Sequence, residues 1–169
     1  EETGLFQEIF PKAGEDRSTT VEMLRALESG SWDVPTALAI CLHETPQASI
    51  EEQLGTLRLS NDLQRATQTI LLQQPALEAF AEQTIATQKR FLRQPYIEGI
   101  LGLGGARTAV GQLSGAPLEA AKERLATWTQ EQLMPPKLLD GNALIKMGMR
   151  PGPQFKTILE GLEEAQLME

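Results

Sequence analysis

The chain has one histidine and one cysteine, His43 and Cys41, two positions apart in "ALAICLHE". A thiol–imidazole nucleophile needs both groups within hydrogen-bond reach, whereas residues i and i+2 on a helix point to different sides. A hydrolytic metal centre needs several converging nitrogen and oxygen ligands, and the pair His43–Glu44 with no second histidine does not supply them. The adjacent acidic pairs Glu51–Glu52 and Glu163–Glu164 diverge on a helix, so they read as solvated surface rather than a magnesium clamp. Neither a catalytic group nor a metal site is expected in this chain. Cys41 excludes an internal disulfide and reads as a small buried apolar residue in a reducing compartment.

The cations offer more. Lys89, Arg90 and Arg93 fall within about one helical turn, Arg90 and Arg93 share a face, and Tyr96 follows. Such a cluster can lie along a phosphate backbone while the tyrosine stacks on a base or ribose. The competing reading is a solvated helix face with Tyr96 tucked into the core. Further on, "GMRPGPQFK" (148–156) places Arg150 and Lys156 on either side of Pro-Gly-Pro, with Lys146 just upstream. Gly148 suits the left-handed end of one helix, Pro151 keeps the connection extended, and Pro153 fits the first turn of the next. The amides opening that helix, with Gly152 allowing close approach, are a suitable place for a phosphate. By residue type the stretch is a turn; with its cations facing a ligand it is also a grip.

The elements that must position these groups are helices. No stretch alternates apolar and polar residues as a strand does, and helical spacing recurs along the chain. The expected fold is all-α, an array of short helices without a sheet. Thr19 with Glu22, and Ser49 with Glu52, have the spacing of capping boxes; Val21, Leu24 and Leu27 would line the first of these helices. Ser60 is placed to cap "NDLQRATQTILLQQ", with Leu63, Ala66, Ile70 and Leu71 on one face before Pro75 interrupts. Pro117 would start a helix carrying Leu118, Ala121, Leu125 and Trp128, ended by "MPPK". Asp140 would cap a helix bearing Leu144, Ile145 and Met147, and Phe155, Ile158, Leu159 and Leu162 would form the buried stripe of the last one. "GILGLGGARTAVG" (99–111) lacks both the preceding strand and the spacing of a phosphate loop, and reads as a flexible helix junction.

Charge is unevenly distributed over the 169 residues. Residues 1–83 carry 5 Lys/Arg against 14 Asp/Glu, residues 84–156 carry 10 against 5, and residues 157–169 carry none against 4. The basic middle points to an anionic ligand on that part of the surface. The change of character near residue 83 marks a boundary between 1–83 and 84–169. No apolar run approaches the roughly 20 residues that span a bilayer, and no basic-then-apolar leader opens the chain. A cytoplasmic location is expected, and the opening "EETGLFQEIF" reads as a piece cut from a longer protein.

The ending "LLDGNALIKMGMRPGPQFKTIL", Leu138 to Leu159, resembles the C-terminal signature of the bacterial CCA-adding tRNA nucleotidyltransferase and poly(A) polymerase family, L-[LI]-x-G-x-x-L-x-x-x-G-x-x-P-G-P before a last amphipathic helix. Upstream, in order, "ETGLFQEIFP" is similar to the segment closing that family's neck, "TTVEMLRALE" and "VPTALAICLHE" to the helices of its body, "LRLSND" to its "LRLSN" turn, and "FLRQPYIEGILGL" to its "HPxxxxLL" helix. The resemblance implies a division of labour. An N-terminal head, absent from this chain, would bind magnesium with ATP or CTP and perform the chemistry. The present chain would be the degenerate HD-like body (1–83) and tail (84–169), holding tRNA or another RNA 3′ region through Lys89, Arg90, Arg93, Tyr96, Lys146, Arg150 and Lys156. "GEDR" (14–17) is similar to the family's nucleotide motif, but it follows "GLFQEIFP" instead of preceding it and is not that motif. Partners so implied are RNA and the chain's own catalytic head, with no membrane; a helical interaction module that pairs with a partner or a second copy is the alternative.

Overall fold

The computed structural model describes residues 4–11, 17–27 and 33–168; 14–16 of "GEDR" and Glu28 lie outside them. Among the described residues the chain is helical with no strand, as the missing alternation required. In chain order the helices are α1 Leu5–Ile9, α2 Arg17–Ala26, α3 Val34–Leu42, α4 Gln47–Thr56, α5 Asn61–Leu72, α6 Gln74–Glu78, α7 Ile85–Leu92, α8 Ile97–Ala109, α9 Gly115–Thr127, α10 Gln130–Leu133, α11 Gly141–Lys146 and α12 Pro153–Met168. They sort into two compact units. The first comprises Glu1–Ala81 with Pro95–Lys122, the second Glu82–Gln94 with Glu123–Glu169. A change of unit thus falls next to residue 83, but 95–122 belongs with the N-terminal part.

In the first unit α8 packs against α2, α3, α5 and α6, and α3 packs against α5. Ile40, Leu42, Ile70, Leu77, Phe80, Ile100 and Leu103 are all at most 1% exposed. Each such side chain contributes about 1.5–3 kcal/mol on leaving water. With so few aromatics, this core fills its space by bringing backbones close, and the glycines of α8 make that approach possible. A β-carbon at Gly99 would stand 2.5 Å from Ile70 Cδ1 and 2.8 Å from Thr36 Oγ1; one at Gly104 would stand 2.4 Å from Leu77 Cδ2. "GILGLGGARTAVG" is accordingly a continuous helix as far as Ala109, not a flexible junction. Its glycines answer to packing rather than to a turn. Gln74, 6% exposed, donates from Nε2 to the carbonyls of Ile70 and Ile100, both at 3.1 Å, and so ties the end of α5 to α8.

Several helix starts follow the expected chemistry. Ser60 accepts from Leu63 N at 3.3 Å, Pro75 sits in the first turn of α6 where α5 has ended, and Ala66, Ile70 and Leu71 are buried. Others do not. Thr19 lies inside α2 (Arg17–Ala26) rather than at its cap, and the buried residues become Thr20, Met23 and Leu27 while Val21 and Leu24 are half-buried. Arg17 donates to Gln7 Oε1 at 3.0 Å at that start. Ser49 likewise lies inside α4, which opens after Pro46, whose preset φ of −54° directs the chain into the helix. Pro117 falls in the first turn of α9 rather than starting it, and the helix stops before Trp128 because Thr129 and Gln132 form a capping box that opens α10.

The second unit packs α7 against α10 and α12, and α11 against α12. Ala86, Phe91, Leu92, Leu144 and Leu167 form its core. The stripe of α12 is shallower than its spacing predicts: Phe155, Ile158, Leu159 and Leu162 are half-buried and Leu167 is completely buried. On α11 only Leu144 is buried, while Ile145 and Met147 stay exposed.

The close approach of α8 to its neighbours is checked by urea unfolding. Gly99→Ala should destabilise the protein by about 1–3 kcal/mol through overpacking, despite the roughly 1 kcal/mol gained in helix propensity. Gly161→Ala, on α12 where an added β-carbon meets nothing within 4 Å, should stabilise by about 0.5–1 kcal/mol.

Candidate nucleic-acid interface

The corner between α11 and α12 is built from the residues that the sequence singles out. Asp140 opens α11 by accepting from Ala143 N at 2.8 Å. At its other end Gly148 adopts φ +87°, Gly148 N donates to the Ile145 carbonyl at 2.9 Å, and Met149 N donates to the Leu144 carbonyl at 3.1 Å. These paired bonds are the Schellman termination, which needs a residue free to take a left-handed φ. After the exposed Arg150-Pro151-Gly152, α12 starts at Pro153, where the missing proline N–H costs no helical bond. Lys146, Arg150 and Lys156 are all exposed around this corner. Lys156 faces Glu160 at 3.7 Å with its side chain 80% exposed, a weak i,i+4 pair. Lys146 and Arg150 form no ion pair among the described residues.

The cluster on α7 has a different fate. Arg90 is paired with Glu164 and lies 3.9 Å from Glu163, and Arg93 Nη2 donates to Glu163 Oε1 at 2.5 Å. Glu163 and Glu164, expected to be solvated surface, are instead the partners of two arginines three positions apart. The hydrogen bond from Arg93 holds the Glu163 carboxyl below its ordinary value, with the charges of Arg93, Arg90 and Lys137 acting in the same sense and partial burial opposing them. Lys89, although next in sequence to Arg90, is 3% exposed, with its Nζ 5.7 Å from the centre of the Trp128 ring. Tyr96 belongs to the other unit. It precedes α8 with φ +63° and a 38% exposed side chain, so its ring is neither in the core nor grouped with the arginines by unit.

This pairing also revises the charge argument. The second unit carries eight Lys/Arg and eight Asp/Glu, and the first carries the entire net charge of −8. Helix α7 of the basic window packs against α12 of the acidic one. The succession of a basic and an acidic window is a sequence signal that could have found this pairing, although it reads equally as a surface for an anionic ligand.

His43 and Cys41 lie in the first unit. His43 Nδ1 donates to the Ile40 carbonyl at 2.7 Å in the tautomer that this bond selects, leaving Nε2 3.6 Å from Glu44 Oε1 and 3.4 Å from Gln112 Nε2. Glu78 accepts from Arg107 at 2.7 Å, and both line, with His43, Glu44 and Gln112, a cleft of about 350 Å³. Burial pushes the Cys41 thiol above its ordinary value, which disfavours the nucleophilic thiolate. Among the described residues no group of three or more His, Cys, Asp or Glu side chains is placed to hold a metal ion, and no helix is long and apolar enough to cross a membrane.

Comparison with known protein families, characterised proteins and solved structures found no match to this chain.

The lowered Glu163 value has a consequence for stability. A carboxyl depressed on folding contributes stability above its ordinary value of 4.5, and this contribution is lost as pH falls through the lower folded-state value. Acid unfolding followed by circular dichroism should therefore show a loss of stability below pH about 4.5 that is smaller in Glu163→Gln than in the parent chain.

Proposed function

We propose that this chain is the RNA-holding C-terminal region of a template-independent nucleotidyltransferase acting on RNA 3′ ends, by CCA addition or polyadenylation. The reading rests on one observation above the others. The motif Leu138–Leu159 forms a corner in which both ends of α11 are satisfied internally, by Asp140 and by the turn at Gly148, while Lys146, Arg150 and Lys156 are left at the surface. A backbone-positioning surface needs cations of this sort at set distances and no base-reading groups. The positive end of the α12 dipole adds to them. Magnesium and ATP or CTP belong in this reading to the catalytic head, which supplies the transfer chemistry, and no residue of this chain is assigned to holding them.

Arg90 and Arg93 contribute less than their spacing promised, because an incoming phosphate must displace a carboxylate from each. The net charge of −8 on the first unit opposes a polyanion at long range. Binding by the isolated chain should therefore be weak and steeply dependent on salt.

The test is tRNA binding measured across a salt series. Arg150→Ala with Lys156→Ala should weaken binding at every salt concentration and reduce the slope of log K against log salt by about 1 per lost phosphate contact. Affinity unchanged in the double variant, or independent of salt in the parent, overturns the reading.

A second reading, a helical interaction module, is favoured by the exposed apolar residues of the second unit: Met134, Leu138, Ile145, Met147 and Met168. It predicts a dimer by light scattering that Leu138→Asp with Met147→Asp returns to monomer, with no effect of RNA.

A further inference from the structure

Lys89 is a cation in a place where a cation needs an explanation. It is 3% exposed, and its Nζ lies 5.7 Å from the centre of the Trp128 ring. The guanidinium carbon of Arg124 lies 5.1 Å from the centre of the same ring. The Trp128 backbone amide donates to the Arg124 carbonyl at 2.9 Å, which fixes its main chain to the last turn of α9. Lys89, Arg124 and Trp128 all belong to the second unit.

Two cations therefore converge on one indole. Among the described residues neither is ion-paired with a carboxylate, whereas Arg90, Arg93 and Arg107 each are. The contrast with Arg90 is sharp, because it stands one position from Lys89 and faces Glu163 and Glu164. The ring quadrupole attracts each cation without neutralising it. No carboxylate among the described residues neutralises either cation.

We propose that Lys89, Arg124 and Trp128 form a binding site for a phosphate group. A phosphate neutralises both cations at once, and it accepts in-plane hydrogen bonds from the guanidinium together with a point-charge contact from the ammonium. Arg124 is exposed and Trp128 half-buried, so the site opens to the surface even though Lys89 itself is covered. The phosphate comes either from an RNA backbone or from a free nucleotide or phosphate ion. None of the three residues belongs to the α11–α12 corner, so the proposal stands or falls apart from the corner's role.

Trp128 reports on its own site once Trp32, the other of the two tryptophans, is replaced by Phe. The Trp32→Phe chain is titrated at low salt with inorganic phosphate, with ATP and with a single-stranded oligoribonucleotide. The expected result is a saturable change in Trp128 fluorescence, weakened about tenfold or more by Lys89→Met and by Arg124→Gln and retained in Arg150→Ala with Lys156→Ala. A response to phosphate or ATP assigns the site to a free ligand, and a response to the oligonucleotide alone assigns it to an RNA backbone. Because Lys89→Met removes an unpaired charge while keeping the volume and the apolar stem, urea unfolding should show it as stable as the parent or more so. No saturable response to any of the three probes overturns the proposal. So does a less stable Lys89→Met whose response is unchanged, since that makes Lys89 a packing cation. If Lys89→Met does not fold, Arg124→Gln at its exposed position decides by the same readout.

Discussion

Helix α8 approaches its neighbours as closely as it does because two of its inward positions have no β-carbon, and the larger unit is organised around that contact. Ile70 and Thr36 occupy the space at Gly99, and Leu77 occupies it at Gly104. With few aromatic rings available, this packing supplies the density that bulk would otherwise provide. Gln74 then secures the junction with two carbonyl bonds at 3.1 Å, which a buried amide needs if it is not to cost stability. An apparently loose glycine-rich segment is thereby a closely packed helix.

The smaller unit is governed by charge compensation. Its eight cations and eight anions are not spread evenly: the α7 arginines and the α12 glutamates neutralise one another, whereas Lys146, Arg150, Lys89 and Arg124 are left without carboxylate partners among the described residues. Partly exposed pairs such as Arg93–Glu163 contribute little to stability individually. Their larger effect is to decide which cations remain available to a ligand. That separates the exposed cations of the α11–α12 corner from the pair over the Trp128 ring, of which Lys89 is covered and Arg124 exposed.

Much of the fold was legible in the sequence because its signals are local. The absence of alternation excluded strands, and Ser60, Asp140, Gly148 and Pro153 each occupy the position that their side-chain chemistry suits. Thr19 and Ser49 had equally good capping chemistry but do not cap the helices they fall in, since a helix that begins two residues earlier turns a cap into an interior position. The cap at Thr129 was hidden inside what read as one long amphipathic helix. The stripe of α12 was legible as a pattern but not in its depth, which depends on how much of each side chain its neighbours cover.

For the site, the division is between neighbours in sequence and neighbours in space. The sequence by itself determined an all-helical chain, the α11–α12 corner and the inventory of cations, because turn conformations and helix ends depend on residues within four or five positions. Only the tertiary structure decided which cations are free. Arg93 and Arg90 meet carboxylates 70 and 74 positions away, and Lys89 meets an indole contributed by a different helix end. Those contacts exist only once α12 and the end of α9 have been brought to α7 by burial of apolar side chains, an outcome to which the spacing of charges along the chain is blind.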